Sequence, residues 1–283
     1  MISFLLCLIL ALAILVLFRL FERFGINNLQ AIIISYSVSA LAAFLSNRGG
    51  VQWSVLVDQP WFYYTFIIGI SFFIGFNLFA LSAQKAGLAL TSVAANISVV
   101  IPVGLAFALY GDQLNAWQIA GLILAFVAIL LVFKPKDNSR FRISIMLFPL
   151  ALFIINGINN SLMKQAEFLG AMFNPMLFLG MIFSTAFVAG LLFLLFIKNK
   201  NSIQIKNLLA GIMLGLLNFG STYYFLSSLN LFQSSIFFPL FNLSFISLSA
   251  VIGVFVFKEK LRPVNWAGII IAIFAIALIT YFQ

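Results

Sequence analysis

Residues 257–273 read FKEKLRPVNWAGIIIAI, and residues 110–126 read YGDQLNAWQIAGLILAF. In both, an acid is followed two positions later by Leu, and then by Ala-Gly and a long aliphatic run. Asp112 pairs with Glu259, Leu114 with Leu261 and Gly121 with Gly268, each pair 147 residues apart. The charges between these anchors differ: Lys258, Lys260 and Arg262 stand in the later copy and no cation in the earlier. A duplicated segment that keeps its frame but exchanges its charge calls for a physical cause.

Composition supplies the first part of it. Of 283 residues, 64% are hydrophobic and 7% charged, against about 25% charged in soluble proteins. Such a chain cannot cover itself with a water-facing surface, so the surplus must face lipid. A spanning helix takes about 20 apolar residues; a spanning β-barrel would need alternating polarity, which runs such as AGLILAFVAILLVF exclude. The fold class is therefore an all-α membrane protein. The single cysteine, Cys7, rules out an internal disulfide framework, and the absence of histidine rules out His-based metal, general-base and proton-relay chemistry. No metal site and no cofactor are expected. The net charge of +9 would suggest nucleic acid in a soluble protein, but here the cations sit in gaps between apolar runs and the partner they imply is the lipid bilayer.

Hydropathy and punctuation place ten transmembrane spans at 2–18, 28–46, 61–84, 89–110, 114–134, 143–165, 172–197, 207–228, 232–257 and 263–282. The first has no basic region ahead of it, so it reads as a span and not as a cleavable signal. Cytoplasmic loops collect Lys and Arg. Of the 15 Lys and Arg, all but Arg48 and Lys164 lie in the gaps after spans 1, 3, 5, 7 and 9, which puts both termini on the extracytoplasmic side of a cell membrane. The opening question is thereby answered. Each half, 1–136 and 137–283, holds an odd number of spans, so the second five-helix repeat enters the membrane inverted, and charge follows the side of the membrane. Inverted repeats of this kind are common in secondary transporters.

On these residues the chain resembles the drug/metabolite transporter superfamily, of the ten-helix EamA type. The resemblance covers the whole chain and rests on the five-plus-five arrangement, on Asp112-Gln113-Leu114…Gly121 and Glu259-Lys260-Leu261…Gly268, and on a basic residue closing the first span of each half, Arg19 and Lys164. The glycine usual before the acid is present as Gly111 and replaced by Lys258; a Trp-Gly pair usual in the first span is absent. The resemblance implies a basket of helices around a central cavity, with spans 5 and 10 packed outside it. It also implies a cargo drawn from amino acids, sugars, nucleotide sugars, amines or drugs.

Polar residues at membrane depth mark the helices that line such a cavity, because an uncompensated polar group in hydrocarbon costs several kcal/mol. Asn156, Asn159, Asn160 and Lys164 fall on one face of span 6. Asn77 in span 3, Asn96 in span 4, Asn218, Ser221 and Thr222 in span 8, and Asn242 in span 9 are the further substrate-binding candidates. Interhelical hydrogen bonding is the competing role for each amide, and snorkelling that for Lys164. Asp112 and Glu259 are expected as caps of the helices that follow them. Pro102 and Pro239 are candidate bends.

The function expected is secondary transport, as an exporter, of a small-molecule substrate such as an amino acid by alternating access, with no enzymatic activity. A structural subunit or sensor without flux is the alternative, and an intramembrane enzyme is disfavoured by the lack of a nucleophile–base pair. The sequence sets no oligomeric state. One outcome follows directly: tags fused to the two ends of the chain are both reached by an impermeant reagent from outside the cell. Labelling of one end alone would reverse the parity of the spans.

Overall fold

The computed structural model describes residues 2–47, 56–98, 100–101, 116–132, 140–196, 204–229 and 234–281. Ten α-helices run through them: α1 Ile2–Phe24, α2 Asn28–Ser46, α3 Phe62–Lys85, α4 Leu88–Ile97, α5 Ala116–Val132, α6 Arg140–Phe168, α7 Pro175–Phe196, α8 Ile205–Leu229, α9 Ser234–Phe255 and α10 Pro263–Tyr281. A single 3₁₀ turn, Ala171–Phe173, precedes α7. No strand occurs among the described residues. Among the described residues, six segments are long and apolar enough to cross a membrane: α1, α2, α3, α7, Ser144–Met163 of α6 and Ile205–Phe225 of α8. Shorter apolar stretches lie in α4, α5, α9 and α10.

The helices begin and end where local chemistry dictates. Asn27 caps α2, its side-chain oxygen accepting from the Gln30 N–H at 3.1 Å. Asn174 caps α7 in the same manner, accepting from the Leu177 N–H at 3.3 Å. These two caps are again 147 residues apart. Helix α10 opens on Pro263, whose fixed φ and missing N–H suit a first turn. Helix α1 runs six residues past the boundary expected at 18. The reason lies at Arg19, whose guanidinium donates to the carbonyls of Ala83 and Gln84 in the last turn of α3. A cation there meets unpaired carbonyls and the negative end of the helix dipole, so the charge need not end the helix.

The chain divides into two compact units, neither of which follows the order of the sequence. Unit 1 comprises residues 1–19, 78–158 and 221–283; unit 2 comprises 20–77 and 159–220. The divisions fall inside α1, α3, α6 and α8, which contribute residues to both.

In unit 1, α10 packs along α5 and α9 packs on both α4 and α10. Its core joins Val93 and Ile97 of α4, Ala125 and Ala128 of α5, Ile246 and Ala250 of α9, and Ala272, Ala275 and Ile276 of α10. Ala125 and Ala128, four and seven residues after Gly121, and Ala272 and Ala275, at the same spacing after Gly268, are all buried in this core. Small side chains let the two helix backbones approach, which is the packing role their spacing suggests. The outer face of the same helices is greasy: Ile123, Phe126 and Leu130 of α5 and Ile270 and Phe274 of α10 are exposed, as lipid contact requires.

Unit 2 is assembled around α2 and α7. Tyr36 is fully buried, donates its hydroxyl to the Phe72 carbonyl at 2.8 Å, and lies against Phe76 and Phe183. A second cluster gathers Leu56, Trp61, Ile68, Ala166, Ala171, Phe178 and Ile182. Glycines set the closest approaches. A Cβ on Gly215 of α8 would stand 2.7 Å from both the Ser35 carbonyl oxygen and Val38 Cβ of α2, and the Ser39 hydroxyl donates to the Gly215 carbonyl at 3.0 Å.

The ends of the helices pair by parity. The connection after α1 meets the start of α8, where the Asn27 N–H donates to Asn207 Oδ1 at 3.1 Å and Asn207 Nδ2 donates to Gln30 Oε1 at 2.6 Å. At the other end of unit 2, Trp61 before α3 stacks edge-on against Phe178 near the start of α7. In both contacts the joined connections share a parity, as helices crossing in alternate directions require.

Gly215→Ala is expected to lower stability by about 1–3 kcal/mol through forced separation of α2 and α8. Thermal unfolding in detergent checks this; an unchanged midpoint would show that the seam can open at no cost.

Candidate functional site

Two polar systems stand out, one within the membrane-spanning helices and one at their ends.

The first comprises the mid-span amides. On α6, Asn159 is buried and its Oδ1 accepts from the Ser71 hydroxyl of α3. Ser71 was not among the residues singled out by sequence, for a lone serine in an apolar run carries no signal of its distant partner. Asn156 is half-buried, and among the described residues no side-chain hydrogen bond engages it; the same holds for Asn242 on α9. Asn77 and Asn96 are also half-buried, each donating Nδ2 to the carbonyl four residues back, Phe73 and Ser92, at 2.8 and 2.7 Å. Those bonds use the amide nitrogen and leave Oδ1 to accept.

Asn160 is exposed, and Asn218 and Thr222 are half-buried. Ser221 hydrogen-bonds the buried Cys7 thiol of α1. Lys164 lies in α6, four residues after Asn160. Asn96, Asn156, Ser221, Thr222 and Asn242 belong to unit 1, and Asn77, Asn159, Asn160, Lys164 and Asn218 to unit 2. Pro239 lies inside α9, and α6 carries a further internal proline, Pro149. Pro102 lies outside the described residues, as does Asp112.

The second system is built on Glu259. The acid caps a helix, but not the α10 that follows it. The Leu88 N–H donates to Glu259 Oε1 at 2.6 Å and the Ala89 N–H to Oε2 at 3.4 Å, so the carboxylate closes the N-terminus of α4, 171 residues away in sequence. Helix α4 needs this, since its own N-cap residue, Gly87, has no side chain to offer. The start of α10 is served instead by Asn265, whose Oδ1 accepts from the Arg262 N–H at 3.2 Å.

The backbone aims the carboxylate. Helix α9 ends with the Glu259 N–H donating to the Gly253 carbonyl at 2.9 Å, six residues back, with Lys258 left-handed at φ 54°. The bond reaches one residue further than a Schellman closure and, like one, turns on a left-handed residue just before the donor. Lys258 occupies the position where the family resemblance expects glycine, and the conformation explains that expectation: a left-handed residue with a Cβ costs about 1–2 kcal/mol. Gly87 and Gly253 leave room for the acid, for a Cβ on either would stand 2.7 or 2.5 Å from a Glu259 oxygen. From α1, Arg19 reaches the end of α3, where Gln84 Nε2 in turn donates to the Phe18 carbonyl at 2.8 Å.

Burial pushes the Glu259 carboxyl above the ordinary carboxylate range; the Leu88 and Ala89 amides and the Arg19 charge pull it down without cancelling the rise. Because its folded value exceeds its unfolded one, the group contributes stability that is fully present below the ordinary glutamate range. That contribution is lost as pH rises through the raised value.

Among the described residues no cluster of His, Cys, Asp or Glu suited to a metal ion occurs.

Comparison with known proteins bears on these two systems. Residues 143–281 match the EamA-like transporter family. An uncharacterized protein of Haemophilus influenzae (strain ATCC 51907 / DSM 11121 / KW20 / Rd) is 27% identical over 210 residues, covering 73% of this chain and 71% of that protein. A protein of known crystal structure aligns over 98% of both chains with a TM-score of 0.60 and 15% identity; at that identity the likeness concerns the fold alone.

Lys258→Gly is expected to raise stability by about 1 kcal/mol by relieving the left-handed residue. The control Lys260→Gly, at an exposed position without positive φ, gives no gain. Equal midpoints for the two variants would refute strain at Lys258.

Proposed function

We propose, on the match of residues 143–281 to the EamA-like transporter family, that the chain is a secondary transporter of small organic metabolites, amino acids among them. In this reading it works as an exporter by alternating access. The chain is multi-pass in the cell membrane, with both termini extracytoplasmic and two inverted five-helix halves enclosing a hydrated path. Support for the inversion comes from the 147-residue frame, which the helix caps Asn27 and Asn174 share with Asp112 and Glu259. Support for the crossing pattern comes from the parity of the joined connections and from the distribution of Lys and Arg.

The observation that carries the reading is the uncommitted amide chemistry at membrane depth. An amide without a partner in hydrocarbon costs several kcal/mol. Asn156 and Asn242, with the Oδ1 atoms of Asn77 and Asn96, are therefore groups awaiting water or a ligand. Neutral amides, offering both donors and acceptors, suit a zwitterionic or hydroxylated cargo. A phosphorylated one would call for Arg or Lys at the same depth. Ser221 and Thr222 are the further candidates of unit 1, and Asn160, Lys164 and Asn218 those of unit 2. Asn159 has the different task of fixing α6 against α3 through Ser71.

Purified protein in proteoliposomes is expected to show saturable counterflow with a member of a panel of amino acids and polyols. Asn156→Ala and Asn242→Ala each lower kcat/KM about tenfold or more, the cost of one lost hydrogen bond of 1–1.5 kcal/mol and upward, with unfolding midpoints unchanged. Absence of counterflow across the panel, or undiminished kinetics in both variants, would overturn the reading.

A further inference from the structure

In Lys258-Glu259-Lys260 the acid faces inward and both lysines face out. The left-handed Lys258, at φ 54°, and the bond from the Glu259 N–H to the Gly253 carbonyl turn the carboxylate onto the Leu88 and Ala89 amides. Lys258 and Lys260, on either side of it, are exposed. The same contact brings up the end of α3, because Glu259 lies against Gly87 and the exposed Lys85 stands two residues before that glycine. Three lysines of unit 1 thus gather around an acid whose oxygens are engaged by backbone N–H groups. Glycine at position 258 would form the turn without strain. A lysine held there against its backbone preference points to a use for the side chain.

Beyond the lysines the surface turns apolar. Helix α10 follows them in the chain, and the Arg262 carbonyl accepts from the Trp266 N–H at 3.0 Å, one turn along. Trp266, Ile270 and Phe274 come at four-residue spacing and are all exposed, a single stripe leading away from the charged end. Helix α5 packs alongside and adds the exposed Leu130 and Phe126 to the lipid-facing surface. We propose that this end of unit 1 binds an anionic phospholipid, its headgroup phosphate among Lys85, Lys258 and Lys260 and an acyl chain along Trp266, Ile270 and Phe274. A charged end continued by an apolar stripe matches a molecule of the same build; a small soluble anion would leave the stripe unused. A zwitterionic lipid offers the same chain, but its headgroup ammonium offsets the phosphate charge that the lysines attract. The leaflet that supplies the lipid rests on the topology proposed above; the site itself does not.

Trp266 stands in the stripe and reports the occupant. The full-length protein is reconstituted in phosphatidylcholine bilayers, and quenching of its fluorescence by brominated phosphatidylglycerol is compared with quenching by brominated phosphatidylcholine. The component lost in Trp266→Phe is the signal of this site. Each lysine near a phosphate contributes up to about fivefold in affinity, so the wild type is expected to prefer phosphatidylglycerol about tenfold or more. In Lys85→Gln/Lys258→Gln/Lys260→Gln the preference falls to near unity. Lys198→Gln/Lys200→Gln/Lys206→Gln removes three cations from unit 2 instead and leaves it unchanged. Lys258→Gly separates the side chain from the backbone: the preference falls up to about fivefold, while the unfolding midpoint in detergent without anionic lipid rises. Equal quenching by the two lipids in the wild type overturns the site. So does an equal loss in the unit 2 control, which would reduce the preference to general charge attraction. Displacement of the lipid by millimolar inorganic phosphate also overturns it and assigns the lysines to a free anion. None of these readouts involves flux, so the lipid site and the transport reading stand or fall separately.

Discussion

Hydrocarbon gives a backbone amide nothing to bond to, and every feature of this chain answers that constraint. The ordered response, among the described residues, is ten helices, whose interior N–H and C=O groups satisfy one another. What the helices cannot satisfy internally is their ends, and there the polar residues are spent. Asn27 closes α2, Asn174 closes α7, Asn265 serves the start of α10, and Glu259 closes α4. Arg19 performs the converse task for the last carbonyls of α3. A chain with six acids among 283 residues uses one of them as an end piece for a helix that has no cap of its own, which shows how high the cost of an open end is.

Between the ends, helices approach by omission of side chains. Gly211 and Gly215 bring α8 onto α2, Gly180 and Gly190 bring α7 onto α2, and the buried alanines bring α5 onto α10. Each contact replaces lipid chains by protein backbone and gains dispersion and occasional hydrogen bonds, such as Ser39 to Gly215. Against that tight packing, the uncommitted amides of Asn156 and Asn242 are the exception, and for that reason they carry the functional reading.

Much of this was legible before any coordinates. Span 28–46 coincides with α2, because Asn caps announce themselves and apolar runs of 19 residues leave little choice. The start of α10 at Pro263 was equally plain. The identity of Glu259 as a cap was readable from its place before an apolar helix. The helix it caps was not, since sequence adjacency favours α10 while the partner lies 171 residues away. Asn159 shows the same limit: a stripe of amides gives a face, but only the fold brings Ser71 to one member of it and withholds a partner from Asn156. The unusual lysine at position 258 could be seen as a departure from glycine, yet its meaning came only with a φ of 54°.

The seam between α2 and α8 has a consequence for temperature. Soluble cores loosen on cooling because their cohesion draws on the hydration of apolar surface, a drive that fades in the cold. Where Gly215 meets Ser35 and Val38, it is fatty acyl chains, not water, that are squeezed out. The attraction there is contact enthalpy with little heat-capacity change, so chilling leaves this pairing of helices intact and shifts the burden of cold adaptation to the lipid around it.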